Sequence, residues 1–252
     1  MSILGTFYNL LSEGPVHVTL IDPDKQDPEK AAEIAKGAQE GNSDIILVGG
    51  TTGVDGRKQG ETLDAVREAT DLPVVIFPTS ADVLSNNADA VFYMSLLNSG
   101  NIRYVVGECV RSSLKLSKMD LEVIPVGYLV FEPGMLVGKV GEVELIGRKD
   151  LELGRSYAKA VELLGMDLCY LEGGSGVQTP IPEEMISAIS SVIDIPLIVG
   201  GGINTPERAA SAVKAGADIL VTGTMVENSE DVPQSISKMV ASMTEAWKER
   251  IS

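Results

Sequence analysis

Apolar residues along this chain fall into two alternating patterns. Short, β-branched runs recur at VHVTLI (16–21), DIILVG (44–49), PVVIFP (73–78), DAVFYM (89–94), EVIPVGYLV (122–130), DLCYLE (167–172), PLIVGG (196–201) and DILVTG (218–223). Between them lie stretches with apolar residues at helical spacing, over 27–40, 60–70, 98–118, 150–164, 182–192, 206–215 and 232–250. Proline at the start of several suits a first helical turn, where its missing N–H costs nothing. Strands alternating with helices at this interval predict parallel pairing through crossovers, and eight repeats are enough to close a barrel.

Two irregularities interrupt the repeat. Only TSADVLSNNA separates the third strand from the fourth, so the third helix is expected to be shortened or replaced. After the fifth strand comes an insertion, 132–149, whose glycines Gly134, Gly138, Gly141 and Gly147 suit a mobile lid. An ordered loop without a catalytic role fits the same residues.

Composition supports one large core. The 252 residues are close to the ~250 of a (β/α)8 barrel. Hydrophobic residues make up 44% with only 4% aromatic, which implies the Val, Ile, Leu and Ala interior that strands buried on both faces require. No Ser/Pro-rich linker or shift in composition divides residues 1–252, and a single α/β domain is expected, a modified (β/α)8 TIM barrel.

Charge narrows the chemistry. A net charge of −16 repels nucleic acid and anionic lipid headgroups, and both are discounted as partners. The same field repels a phosphate ester, so a phosphate site has to rest on local backbone N–H groups, a divalent cation, or both. Cys109 and Cys169 match no metal-binding spacing and read as apolar fillers. The N-terminus lacks the basic region and cleavage site of a secretory signal, and no apolar run reaches the ~20 residues of a membrane span. A cytoplasmic protein without stable membrane insertion is the expectation. His17 is the only histidine and begins a buried strand, so a structural role is favoured over general-base chemistry.

In such barrels the active site forms at strand C-termini, and phosphate is often held by the loops after strands seven and eight. Those loops read GGGINTPE and TGTMVENSE. Gly201 and Gly202 let main chain approach an anion, Thr205 before Pro206 is a candidate helix cap, and Gly223 and Thr224 offer N–H groups and a hydroxyl from the other side. Strand six ends YLEGGSG. Alternation puts Tyr170 and Glu172 on the inner face and Leu171 on the other, leaving Glu172 to bind a hydroxyl or take its proton. Strand one ends IDPDK, with Asp22 sharing the inward face of Val18 and Leu20; it is a hard oxygen ligand suited to Mg²⁺, and the Thr51 hydroxyl of the adjacent strand end could complete the shell. A phosphate-barrel isomerase or lyase, a flavin barrel and a non-catalytic phosphate sensor are the competing readings.

The ordered set IDPDK, VGGTTGV, YLEGGSG, VGGGI and TGTMVE resembles the geranylgeranylglyceryl phosphate synthase family and its bacterial heptaprenylglyceryl phosphate relatives, from strand one through strand eight. The resemblance implies a TIM barrel with an altered third helix. It also implies transfer of a geranylgeranyl group from geranylgeranyl diphosphate to the 3-hydroxyl of sn-glycerol 1-phosphate, the first ether bond of archaeal membrane lipids. Carried over by motif, Asp22 and Thr51 would hold Mg²⁺. Tyr170, Leu171, Glu172, Gly173, Gly174, Ser175, Gly176, Gly201, Gly202, Gly223 and Thr224 would bind glycerol phosphate, with Glu172 catalytic. Some bacterial relatives carry a Lys where Leu20 stands, so that phosphate contact is missing here, and a longer prenyl donor stays open. A homo-oligomer is expected from the family alone. Phe77, Phe92, Tyr93 and Tyr104 lie where a prenyl groove would open, although core packing is the favoured role for each.

Overall fold

In the computed structural model, which describes residues 2–50 and 55–252, each β-branched run pairs with its sequence neighbours. The strands are β1 (Val16–Ile21), β2 (Ile45–Val48), β3 (Val74–Ile76), β4 (Ala90–Leu96), β5 (Glu122–Val130), β6 (Leu168–Glu172), β7 (Leu197–Gly200) and β8 (Ile219–Thr222). All neighbours are parallel, and β8 returns to β1 to close the barrel in the order β1 to β8. Val18, for example, lies between Ile45 of β2 and Val221 of β8. Closure leaves no exposed strand edge, and the fold is the modified (β/α)8 barrel expected from the repeat.

Alternate residues fill the interior: Val18, Leu47, Val75, Phe92, Val126 and Ile198 share one buried cluster. The intervening residues face the helices in two outer clusters, one over β1–β4 and one over β5–β8. The covering helices are α2 (Pro28–Glu40), α3 (Gly56–Ala69), α4 (Glu108–Leu116), α6 (Leu151–Leu163), α7 (Glu183–Ser190), α8 (Pro206–Ala215) and α10 (Val232–Ile251), with short helices α5 (Met135–Val140) and α9 (Thr224–Glu227) following the C-terminal ends of β5 and β8. Thr205 caps α8 by accepting from the Arg208 N–H, with Pro206 in the first turn, as its sequence suggests.

The third helix is replaced. Between β3 and β4 there is only a 3-10 turn, Ala81–Val83, capped by the Ser80 hydroxyl. The stretch over 98–118 is not one regular helix either: a π-helical turn, Arg103–Gly107, leads into α4.

Periodicity missed α1 (Ile3–Glu13), which precedes the first strand. It seals the barrel end opposite the strand C-termini. Phe7 is fully buried in the interior cluster with its ring 6.4 Å from that of Phe92. The Ile3 and Leu4 amides, two of those a helix N-terminus leaves unpaired, donate to the Glu122 carboxylate at the start of β5, Leu4 at 3.0 Å.

His17 is structural. Its ring is fully buried, with Nδ1 2.9 Å from the Ser43 hydroxyl and Nε2 3.0 Å from the Thr222 hydroxyl. Burial lowers its pKa from 6.5 to about 4, so the ring is neutral near pH 7. Below pH 6.5 the unfolded chain takes up a proton that the folded ring refuses, and stability falls as pH drops from 6.5 to 4. The linkage amounts to about 3 kcal/mol across that window. His17→Gln is expected to remove this slope: urea titrations at pH 7 and pH 4 should show a smaller loss in the variant than in the parent. Equal losses would show that the ring does not carry it.

Candidate active site

The strand C-termini surround an open cleft of about 920 Å³, solvent-filled space included, lined by charged, glycine and apolar residues together. Alternation that fills the interior below also decides what reaches this mouth. Two residues beyond Leu20 stands Asp22, two beyond Tyr170 stands Glu172, and two beyond Val221 stands Gly223; all border the cleft.

Glu172 is buried, yet both its oxygens are held. The Gly174 N–H donates to Oε1 at 2.6 Å and the Tyr128 hydroxyl to Oε2 at 3.2 Å. Burial raises its pKa, while the bonds from Gly174, Tyr128 and Tyr170 oppose part of that rise. The result is a carboxylate more basic than usual, fixed in direction. Gly201 has to be glycine here: φ is +82°, and a Cβ would lie 2.6 Å from Glu172 Oε1. Beneath it the Tyr128 and Tyr170 rings pack edge to face, with centroids 5.0 Å apart and Phe77 5.7 Å from each.

Asp22 occupies the opposite wall. Oδ1 accepts from the Asp24 N–H at 3.0 Å, and Oδ2 lies 3.8 Å from the Lys25 ammonium. Burial raises its pKa. A Cβ on Gly50 would sit 2.0 Å from Oδ1, so the second strand end must be glycine for the carboxylate to occupy this position. Thr51, the expected companion ligand, lies outside the described residues. Among the described residues no cluster of three Asp, Glu, His or Cys could hold a metal. One buried carboxylate at the cleft still fits Mg²⁺, which usually takes one or two carboxylates and completes its shell with substrate oxygens and water.

Lys25 and Glu227 were not singled out by sequence. The Lys25 ammonium lies 3.0 and 3.2 Å from the two Glu227 oxygens and 3.2 Å from Ser175 Oγ, which is itself 3.3 Å from Thr224 Oγ1. This bridge ties β1, β6 and β8 together and puts a cation beside the glycine-rich loops. Lys25 sits in the IDPDK motif and Glu227 ends the TGTMVE motif, so a signal existed for both. Tyr128 could have been found as one of few aromatics on the inward register.

The two glycine loops after β7 and β8 meet at the cleft. Gly201 and Gly202 both have positive φ, and Arg208 props their loop by donating to the Gly202 carbonyl at 2.9 Å and the Gln178 carbonyl at 2.8 Å. Gly223 and Thr224 open α9 across the cleft, where leading amides of a helix are unpaired. Tyr170, Glu172, Ser175, Gly176, Gly201, Gly202, Gly223 and Thr224 all line the space. Gly173 and Gly174 contribute backbone: Gly173 N–H donates to the Gly200 carbonyl at 3.1 Å. Leu171 is the correction. Its side chain is fully buried in the cluster between barrel and helices, because its register is opposite to that of Tyr170 and Glu172.

A second cleft, strongly apolar and of about 860 Å³ with solvent-open space included, opens beside the first where the third helix is replaced. The 3-10 segment and α4 form its sides. Gly50, Phe77, Tyr128 and Val137 border both clefts. Phe92 is almost wholly buried and borders the cleft, while Phe77, Tyr93 and Tyr104 are half-buried, packed against the core on one side and walling the cleft on the other. The Tyr93 hydroxyl is anchored on the Cys109 carbonyl at 2.7 Å. Residues 132–149 cover the junction through α5. Asn98 donates to the Val130 and Glu144 carbonyls, Ser99 to the Gly141 carbonyl, and Arg148 to the Pro180 carbonyl, which favours the ordered loop over the free lid.

Comparison with known proteins converges on one family. Residues 8–243 match the model of the PcrB family. The chain is 44% identical over 251 residues to geranylgeranylglyceryl phosphate synthase of Thermoplasma acidophilum, spanning 100% of this chain and 99% of that protein. It is 46% identical over 232 residues to the synthase of the same name from Methanosarcina acetivorans, covering 92% and 94% of the two chains. The crystal structure of the Thermoplasma acidophilum (S)-3-O-geranylgeranylglyceryl phosphate synthase in complex with substrate sn-glycerol-1-phosphate superposes with a TM-score of 0.94, over 97% of this chain and 99% of that one. With a closed eight-stranded barrel, a family match over residues 8–243 and near-complete coverage, this chain belongs to the PcrB family, together with these synthases.

Proposed function

We propose that this protein is a prenyltransferase that joins a geranylgeranyl group, taken from geranylgeranyl diphosphate, to the 3-hydroxyl of sn-glycerol 1-phosphate. The observation that carries it is the meeting of two unlike clefts, one apolar and one glycine-lined, beside Glu172 and Asp22. A phosphate-barrel isomerase or lyase has no use for a long apolar channel. The names of the relatives point the same way. A homo-oligomer in the cytoplasm belongs to the same proposal, resting on the family resemblance and a sequence without disulfide or metal-spaced cysteines.

In this reading the amides of Gly201, Gly202, Gly223 and Thr224 hold the glycerol phosphate group, reversing locally the repulsion of a chain with net charge −16. Val137, Phe77 and the walls of the apolar cleft take the prenyl tail, leaving the diphosphate near Asp22. The allylic C–O bond breaks, the diphosphate departs with its electron pair, and the glycerol oxygen bonds to the freed carbon. Glu172 accepts the hydroxyl proton, held for it by Gly174 and Tyr128. Asp22, with Thr51 as the family resemblance implies, would hold Mg²⁺, which would supply charge neutralisation for the leaving group.

Glu172→Gln should lower kcat about 10²- to 10⁴-fold with glycerol phosphate still binding, as read by single-turnover assay and calorimetry. Full turnover at saturating substrates would remove Glu172 from the proton transfer.

Because the base has to be ionised and its pKa is raised above 4.5, activity is expected to fall as pH drops through that raised value. Tyr128→Phe deletes a bond to the charged form and should move the acid limb of the kcat/KM profile to higher pH. A substrate phosphate titrating in the same range would not respond to this change, so an unmoved limb would count against Glu172.

Chelation with EDTA should abolish turnover, and Asp22→Asn should raise the Mg²⁺ concentration needed for half-maximal activity by about tenfold or more, the loss of a hydrogen-bonded charge being worth roughly 1.5–3 kcal/mol. Activity that survives a chelator would overturn the metal assignment. Donors of graded chain length in the same assay test the geranylgeranyl preference.

A further inference from the structure

The cleft that takes two anions in the prenyltransferase reading is itself short of positive charge. Among the described residues lining it, Asp22, Glu172 and Glu227 are carboxylates and Lys25 is the only Lys or Arg. Neighbouring cations are already engaged. The Arg208 guanidinium donates to the Gly202 and Gln178 carbonyls and to Asn204 Oδ1, and Lys58 pairs with Asp24 at 2.9 Å.

Lys25 starts from a hydrogen-bonded turn and ends in an open contact. Its backbone N–H donates to the Asp22 carbonyl at 3.0 Å, and Gln26 Oε1 accepts from the Asp22 N–H at 3.1 Å. An ammonium has three donors on a flexible stem. Here it lies 3.0 and 3.2 Å from the two Glu227 oxygens and 3.2 Å from Ser175 Oγ. The Lys25 side chain is 42% exposed, and an ion pair so open to water gains little from its charges, so exchanging one anion for another costs little. A phosphate offers the same donors a more highly charged acceptor.

Position decides which phosphate this is. Ser175 and Thr224, whose hydroxyls are 3.3 Å apart, set the ammonium on the side of the cleft where the loops after β6 and β8 meet. Asp22 Oδ2 is farther off, at 3.8 Å. A divalent cation at Asp22 would repel the ammonium, so the two divide the anions, the diphosphate to the metal and the glycerol phosphate to Lys25.

We infer that Lys25 is a substrate-binding residue whose ammonium rests on Glu227 in the empty cleft and transfers to the phosphate of sn-glycerol 1-phosphate when that substrate enters. The identity of the anion rests on the prenyltransferase reading. Glu227 is then a competitor for the ammonium, and the two halves of the bridge act on binding with opposite sign. A bridge that only clamped the loops would act with the same sign at both ends.

The test is calorimetry of sn-glycerol 1-phosphate and, separately, of inorganic diphosphate with Mg²⁺, on the whole protein and its variants, with turnover measured in parallel. Lys25→Met should bind glycerol phosphate at least about tenfold more weakly, with the loss falling on its KM and diphosphate affinity kept within about threefold. Lys25→Arg, which keeps the charge, should recover most of that affinity. Glu227→Gln should bind glycerol phosphate more tightly than the parent. Unchanged affinity in Lys25→Met, a loss confined to diphosphate, no gain in Glu227→Gln, or a parent that does not bind glycerol phosphate would each overturn the inference. A parent that binds glycerol phosphate through Lys25 yet turns over no prenyl diphosphate would sink the prenyltransferase reading and leave the Lys25 assignment standing.

Discussion

Closure of the barrel imposes a parity rule on every strand. Each residue faces either the packed interior or the helices, and the register of eight parallel neighbours fixes which. At the strand C-termini the interior runs out and the same parity presents Asp22, Glu172 and Gly223 to one space. A slip of one residue in β6 would exchange Tyr170 and Glu172 for Leu171, replacing the carboxylate with a core leucine. The geometry of the site thus depends on the hydrophobic packing beneath it, down to Phe7 of α1 sealing the far end.

Upon that frame, electrostatics is local. The chain as a whole repels anions, yet its mouth gathers positive-φ glycines, the first amides of α9 and the Lys25 ammonium. These groups act over a few ångströms, where the low dielectric of a lined cleft strengthens them and distant carboxylates are screened. Glu172 gains basicity from burial and direction from Gly174 and Tyr128, two effects that oppose each other in pKa but cooperate in positioning. A buried, ionisable group with both oxygens engaged is suited to receiving a proton from one side only.

The apolar half of the site comes from something missing. Where the other crossovers lay a full helix against the sheet, β3 and β4 are joined through a single 3-10 turn, and the uncovered apolar surface becomes the cleft. The shortened connection in the sequence and the second cleft in the structure are the same feature. The π turn before α4 continues it, because it keeps one apolar face on the cleft and another toward the outside.

Much was legible in the chain before any contact was known. All eight strands, the replaced third helix, the inward parity of Glu172 and Asp22 and the two glycine loops follow from period-two and period-3.6 patterns and from turn chemistry, which are properties of neighbouring residues. Tertiary structure alone decided the rest. Tyr128 meets Glu172 across 44 positions and Lys25 meets Glu227 across 202, separations over which no local pattern carries information. Tyr93 and Tyr104 pack against the core on one side and wall the cleft on the other, because the missing helix leaves that second side uncovered. The helix α1 went unread for a related reason: its place is set by the barrel floor and the Glu122 carboxylate, both far from it in the chain.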